Sequence, residues 1–150
     1  MLFLWDRYLL ERRRTVVKIA CILLKHFPCK VEIKRNPSLI KRPFAIIQNH
    51  VSKNIVLDVF PVESNIIPGM SIQEARFISS DLVYIKADME MYQKEFDDIL
   101  LNLSTIFPDV ESSGLGCIYI SMEGLNYIYG NDKTLIDTML NSVPTYIQPS

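Results

Sequence analysis

One long amphipathic stretch with a firm stop at each end constrains this chain more than any other feature. From Asp88 to Pro108, apolar side chains recur at Tyr92, Phe96, Ile99, Leu100, Leu103 and Phe107, the period of a helix with one face to bury. Asp88 suits the N-cap, and Glu90 the first turn, where a carboxylate meets the positive end of the helix dipole. Pro108 cannot continue the helix. Such a stripe needs an apolar platform, and strands stand on both sides of it in the sequence. Asp109–Ser113 and Cys117–Met122 read as a hairpin around a Ser-Ser-Gly break, and Val16–Leu24 as a buried strand rich in β-branched residues.

The remaining elements follow from their punctuation. Phe27–Asn36 fits a short helix that ends at Asn36-Pro37, because the residue before proline leaves the α region. Pro43–Gln48 and Asn54–Phe60 read as strands joined by a turn at Asn49–Lys53. Pro68-Gly69 is a tight turn. Met70–Ser79 is helical with Ile72 and Ala75 on one face, and Leu82–Ile85 is a short strand. Asn131 or Asp132 caps a last helix whose inner face is Leu135, Ile136, Met139, Leu140 and Val143. Thr145–Gln148 then reads as a strand cut short, and Met1–Arg14 as a short helix ending in three arginines. Helices on one face of a mostly antiparallel sheet make an α+β design. The order β-α-β-β-α-β, interrupted by an insert, is the ferredoxin-like pattern.

Composition enters through charge. The net charge of -1 conceals a division: residues 1–53 carry 12 Lys and Arg against 3 Asp and Glu, and residues 54–150 carry 4 against 14. A basic third is an electrostatic hint of a polyanion partner; its plainer meaning is a solvated face. Hydrophobic residues at 49% exclude a disordered chain. Cys21, Cys29 and Cys117 form no C-x-x-C pair and no zinc pattern, so reduced thiols in a cytoplasmic protein are expected. Val16–Leu24 is too short to span a membrane.

Four stretches, in order, resemble the Y-family translesion DNA polymerases. The first is Leu23–Glu32 followed by Asn36-Pro37-Ser38-Leu39 and Arg42–Ile47. The second is Pro68-Gly69-Met70-Ser71-Ile72-Gln73-Glu74-Ala75. The third is Asp81–Ile85 with Tyr92, Phe96 and Ile99, and the fourth is Val110-Glu111 with Tyr119-Ile120-Ser121, Gly124-Leu125 and Tyr129-Gly130. The resemblance implies an N-terminal extension over 1–16 and a ferredoxin-like palm with a small helical fingers insert over 17–150. The fingers fall at about 49–80, and the palm is incomplete at its C-terminus.

Active members of that family hold two Mg²⁺ ions with carboxylates. By the family's spacing those carboxylates fall on Leu23, Gly116 and Cys117, and the residues that grip the triphosphate fall on Val59 and Val62. None can ligate Mg²⁺ or a phosphate through its side chain. The resemblance therefore implies a chain that is no enzyme and holds no metal or cofactor, most like the ImuB kind of accessory protein in damage-induced mutagenesis. Its expected partners are DNA, bound weakly through Lys34, Arg35, Lys41, Arg42 and Lys53, and proteins of DNA repair or replication. Self-association is expected through a sheet edge left open by the short final strand. The alternative is a ferredoxin-like regulatory or binding module with a small-molecule or protein partner.

Other candidates have plainer explanations. His26 and His50 have no third ligand in a suitable pattern and read as surface or strand-edge residues. Glu111 and Glu123 flank the hairpin, but strand alternation sets them apart from the expected metal positions. Asp97-Asp98 lies on the polar side of the long helix, and Ser112-Ser113 is ordinary turn chemistry.

Overall fold

The structure, a computed structural model, describes residues 2–7 by backbone alone, and residues 17–61 and 65–148. The chain divides into two compact units, Met1–Lys25 with Gln93–Ser150, and His26–Tyr92.

In the first unit four antiparallel strands form a sheet ordered β1 (Leu2–Arg7), β2 (Val17–Leu23), β7 (Cys117–Ser121) and β6 (Val110–Gly114). Strand alternation divides β2 and β7 cleanly. Ala20 lies opposite Ile120 and Ile22 opposite Ile118, and all four side chains are buried. Phe96, Ile99 and Leu103 of α3 (Met89–Ile106), Phe107 just past its end, and Leu135 and Met139 of α5 (Asp132–Asn141) are buried too. These stripes supply the cover that the apolar sheet face requires, each large side chain contributing on the order of 1.5–3 kcal/mol of transfer energy. The opposite face of β2 and β7 carries Ile19, Cys21 and Leu23 beside Cys117, Tyr119 and Ser121. The short helix α4 (Asn126–Tyr129) connects β7 to α5.

The second unit begins with α1 (Phe27–Arg35) and a 3-10 turn at Pro37–Lys41. Its sheet is ordered β4 (Lys53–Phe60), β3 (Phe44–His50) and β5 (Val83–Lys86), with β3 and β5 parallel. Ala45, Val56, Val59, Ile66, Ala75 and Leu82 form one buried cluster, with Met70 and Tyr84 packed against it. The 49–80 stretch lies inside this unit, and α2 (Ile72–Ile78) is its helix. A capping box starts α2: the Ser71 hydroxyl accepts from the Glu74 amide, while the Glu74 carboxylate accepts from the Ser71 amide at 2.8 Å.

Two expectations at the chain ends are corrected. Leu2–Arg7 is a strand rather than part of a helix; residues 8–16 lie outside the described set. The outer edge of β2 offers a full ladder of hydrogen bonds, and that non-local pairing overrides a weak local pattern. Thr145–Gln148 forms turns rather than a strand, with Ile147 donating to the Pro144 carbonyl and Gln148 to that of Thr145. The Gln148 side-chain amide donates to the Leu140 and Val143 carbonyls at 3.2 and 2.8 Å, and Ile147 is buried. The tail is thus spent on capping α5 and filling the core, while β1 takes the edge that a final strand would have used.

Candidate functional site

The β6–β7 turn brings three of the expected positions to one end of the first sheet. Gly114 and Gly116 have positive φ of 136° and 85°, a backbone that residues with a Cβ rarely adopt. The turn they make sets Cys117 opposite Leu23, and the Leu24 amide donates to the Gly116 carbonyl at 2.8 Å. Leu23, Gly116 and Cys117 are therefore neighbours, as the spacing implied. Cys21, 96 residues from Cys117 in the chain, joins them: its sulfur lies 3.9 Å from that of Cys117. Along the same sheet face a hollow of about 110 Å³ is lined by Val17, Ile19, Asp109, Glu111, Tyr119 and Ser121. Glu111 stands directly opposite Tyr119, and the Ser113 hydroxyl donates to that of Tyr119 at 3.4 Å.

The donors that meet Leu23 and Gly116 are two thiols with hydroxyl neighbours. Mg²⁺ takes oxygen ligands, carboxylates above all. No group of three His, Cys, Asp or Glu side chains able to hold a metal ion occurs among the described residues. Leu23, Gly116 and Cys117 offer no side-chain oxygen to Mg²⁺, and no metal-borne step is assigned to them.

The remaining expected positions fall in the second unit. Val59 lies on β4 opposite Ala45, 2% exposed in the apolar cluster, so its side chain belongs to the core. Val62 lies outside the described residues. Lys34 and Arg35 occupy the last turn of α1, and Lys41 and Arg42 close the 3-10 turn that packs against it. All four are exposed. Lys53, also exposed, pairs with His50 at the far tip of the β3–β4 hairpin, while Arg42 precedes the other end of β3. Seven residues at about 3.4 Å each separate them by roughly 24 Å. The structure groups four of the five basic candidates and leaves the fifth apart.

One polar constellation escaped sequence reasoning. His26, the residue before α1, has a left-handed φ of 53°, and its Nδ1 lies 2.7 Å from the Asp58 carboxylate. Asp58 is only 4% exposed, and also accepts from the Cys29 amide at 3.2 Å and from its own neighbour, the Val59 amide, at 3.0 Å. Burial, and then the Asp58 charge and hydrogen bond, push the Cys29 thiol far above its ordinary value. His26 and Asp58 lie 32 residues apart, with no motif to join them.

Residues 22–147 match the model of the impB/mucB/samB family. No curated protein matches the chain in sequence. Among solved structures the fold is similar to the post-insertion binary complex of Dbh DNA polymerase, with a TM-score of 0.74 at 17% identity. It is also similar to DinB from Sulfolobus solfataricus, with a TM-score of 0.72 at 17% identity. In both cases 83% of this chain is covered and 36% of the other, so the chain spans about a third of the length of these structures.

The expectation of a chain that is no enzyme is overturned here, because the solved structures that share its fold are those of DNA polymerases. The reasoning from three empty positions fails for a physical reason. Leu23, Gly116 and Cys117 do meet as counted, but the inference looked only at those three positions, and Asp109 and Glu111 line the hollow on the same sheet face. Glu111, set aside on alternation, is on the same face as Cys117 and shares the hollow with Asp109.

Proposed function

The chain belongs to the impB/mucB/samB family, and from that premise we propose that it is a Y-family polymerase palm-and-fingers region that works on DNA in the response to damage, holding the nucleic acid through its backbone phosphates. The observation that carries this reading is the grouping of Lys34, Arg35, Lys41 and Arg42 on two packed elements of one unit, all exposed, in a chain whose acidic residues are concentrated elsewhere in the sequence. Phosphate contacts of this kind position a duplex without reading its sequence.

Fluorescence anisotropy of labelled duplexes over a salt series tests it. Four phosphate contacts give a slope of log affinity on log salt of about -3.6, at roughly -0.9 per phosphate neutralised. The double variant Lys41→Glu, Arg42→Glu should weaken binding alike on unrelated sequences and reduce that slope by about 2 on the same scale. Lys53→Glu, at the distant hairpin tip, should change affinity less. Affinity and slope unaltered by the double reversal would show that DNA, if bound, is held elsewhere.

A further inference from the structure

The pairing of β2 with β7 does more than close a sheet. Cys21 lies opposite Tyr119, and Cys117 opposite Leu23, so the two cysteines are diagonal neighbours on one sheet face. Their sulfurs are 3.9 Å apart, close enough for one thiol to donate to the other. Cys117 is partly exposed, whereas Cys21 is 6% exposed and lies behind it. The third cysteine is walled off in the second unit at 1% exposure.

We propose that Cys21 and Cys117 form a redox-reactive dithiol, in which Cys117 is attacked first by a hydroperoxide and Cys21 resolves the product to an intramolecular disulfide. The Cys117 thiolate attacks one peroxide oxygen. A sulfur–oxygen bond forms, the O–O bond breaks, and the second oxygen leaves as hydroxide (for hydrogen peroxide) or alkoxide, taking a proton from solvent. The Cys117 sulfenic acid is then attacked by the Cys21 sulfur. A sulfur–sulfur bond forms, the S–O bond breaks, and the oxygen departs as water with the Cys21 proton. Two electrons pass from the two sulfurs to the peroxide, and a reducing thiol returns them.

The surroundings favour this division of roles. Burial works to raise the Cys117 thiol, but hydrogen bonds with Ser113, Tyr119 and Cys21 outweigh it and hold the group below its ordinary value. Cys21 is pushed up, by burial first and by its Cys117 partner second. The thiolate, the reactive form, therefore gathers on the more accessible sulfur. A disulfide requires the sulfurs to close from 3.9 Å to about 2.0 Å. Side-chain rotation within the facing strands has to provide that approach.

Peptide mapping by mass spectrometry after graded hydrogen peroxide tests the proposal on the whole chain. The expected product is a Cys21–Cys117 link, two mass units lighter, reversed by dithiothreitol, with Cys29 unmodified as an internal control. With dimedone present, Cys21→Ser should accumulate the Cys117 sulfenic adduct and Cys117→Ser should give no adduct at Cys21. The wild-type map needs no variant, so a variant that fails to fold leaves the test intact. Free thiols at both positions under peroxide that fully oxidises glutathione, or oxidation of Cys29 at an equal rate, would overturn the proposal.

Discussion

At the scale of single residues, this fold concentrates its risk in two buried carboxylates. Asp58 accepts hydrogen bonds from the Cys29 and Val59 amides and partners the His26 ring while 4% exposed. Removing it strands two buried N–H groups in a site that water does not reach. Asp58→Ala should cost on the order of 2–4 kcal/mol in urea denaturation, the range for leaving buried partners unsatisfied. Asp58→Asn, which keeps one acceptor oxygen, should cost less; equal losses would mean that shape rather than hydrogen bonding matters there. Glu32 is the second, 6% exposed, accepting from the Tyr92 hydroxyl at 2.6 Å, with the Arg35 guanidinium 3.7 Å away. Burial first, then the Glu32 hydrogen bond and charge, push the Tyr92 phenol well up. Tyr92→Phe should lower stability by about 1–3 kcal/mol, as expected for a lost hydrogen bond to a buried charge. A variant as stable as the parent would show that Arg35 and solvent satisfy Glu32 unaided.

At the scale of elements, what was legible in the sequence is what depends on neighbours in sequence. The long helix announced itself through its stripe and Pro108, and it runs Met89–Ile106. Its cap is also as read: the Asp88 carboxylate accepts from the Met91 amide at 3.1 Å. Leu2–Arg7 and Thr145–Gln148 misled because their fate is set by distant partners, the β2 edge and the last carbonyls of α5. The Cys21–Cys117 and His26–Asp58 pairs were invisible for the same reason. The start of α2 is a local device that can be tested locally. Ser71→Ala removes a cap worth about 1 kcal/mol. The Glu74 carboxyl is held below its ordinary value, chiefly by the Ser71 amide and then by the Ser71 hydroxyl. A carboxyl lowered in the folded state stabilises it above the unfolded value, and that contribution is lost as pH falls through the folded one. Denaturant titrations should therefore show wild type losing stability with acid more steeply than Glu74→Gln near pH 4. Parallel acid curves would mean that the box adds nothing in solution.

At the scale of the whole molecule, the first sheet has an edge problem that β1 solves. The Leu24 amide donates to Gly116 and the Met122 amide to Lys18, which fixes the even residues of β2 as those bonded to β7. The odd residues Val17, Ile19, Cys21 and Leu23 then turn their backbone groups to the other side, where Arg7, Trp5 and Phe3 stand opposite the first three. Without β1 that side is a ladder of free N–H and C=O groups along a strand whose apolar residues outnumber its one charge, the kind of edge that recruits another chain. Deleting residues 1–7 should therefore have two linked effects. Hydrogen exchange should accelerate at the amides of Val17, Ile19 and Cys21, while Ala20 and Ile22, bonded to β7, keep their protection. Light scattering should show a mass that rises with concentration in the truncated chain and less so in the parent. The alternating pattern separates an opened edge from general unfolding, which would release odd and even amides together. A truncated chain that stays at one mass, with Ile19 and Cys21 still protected, would show that β1 is not what covers β2 in solution.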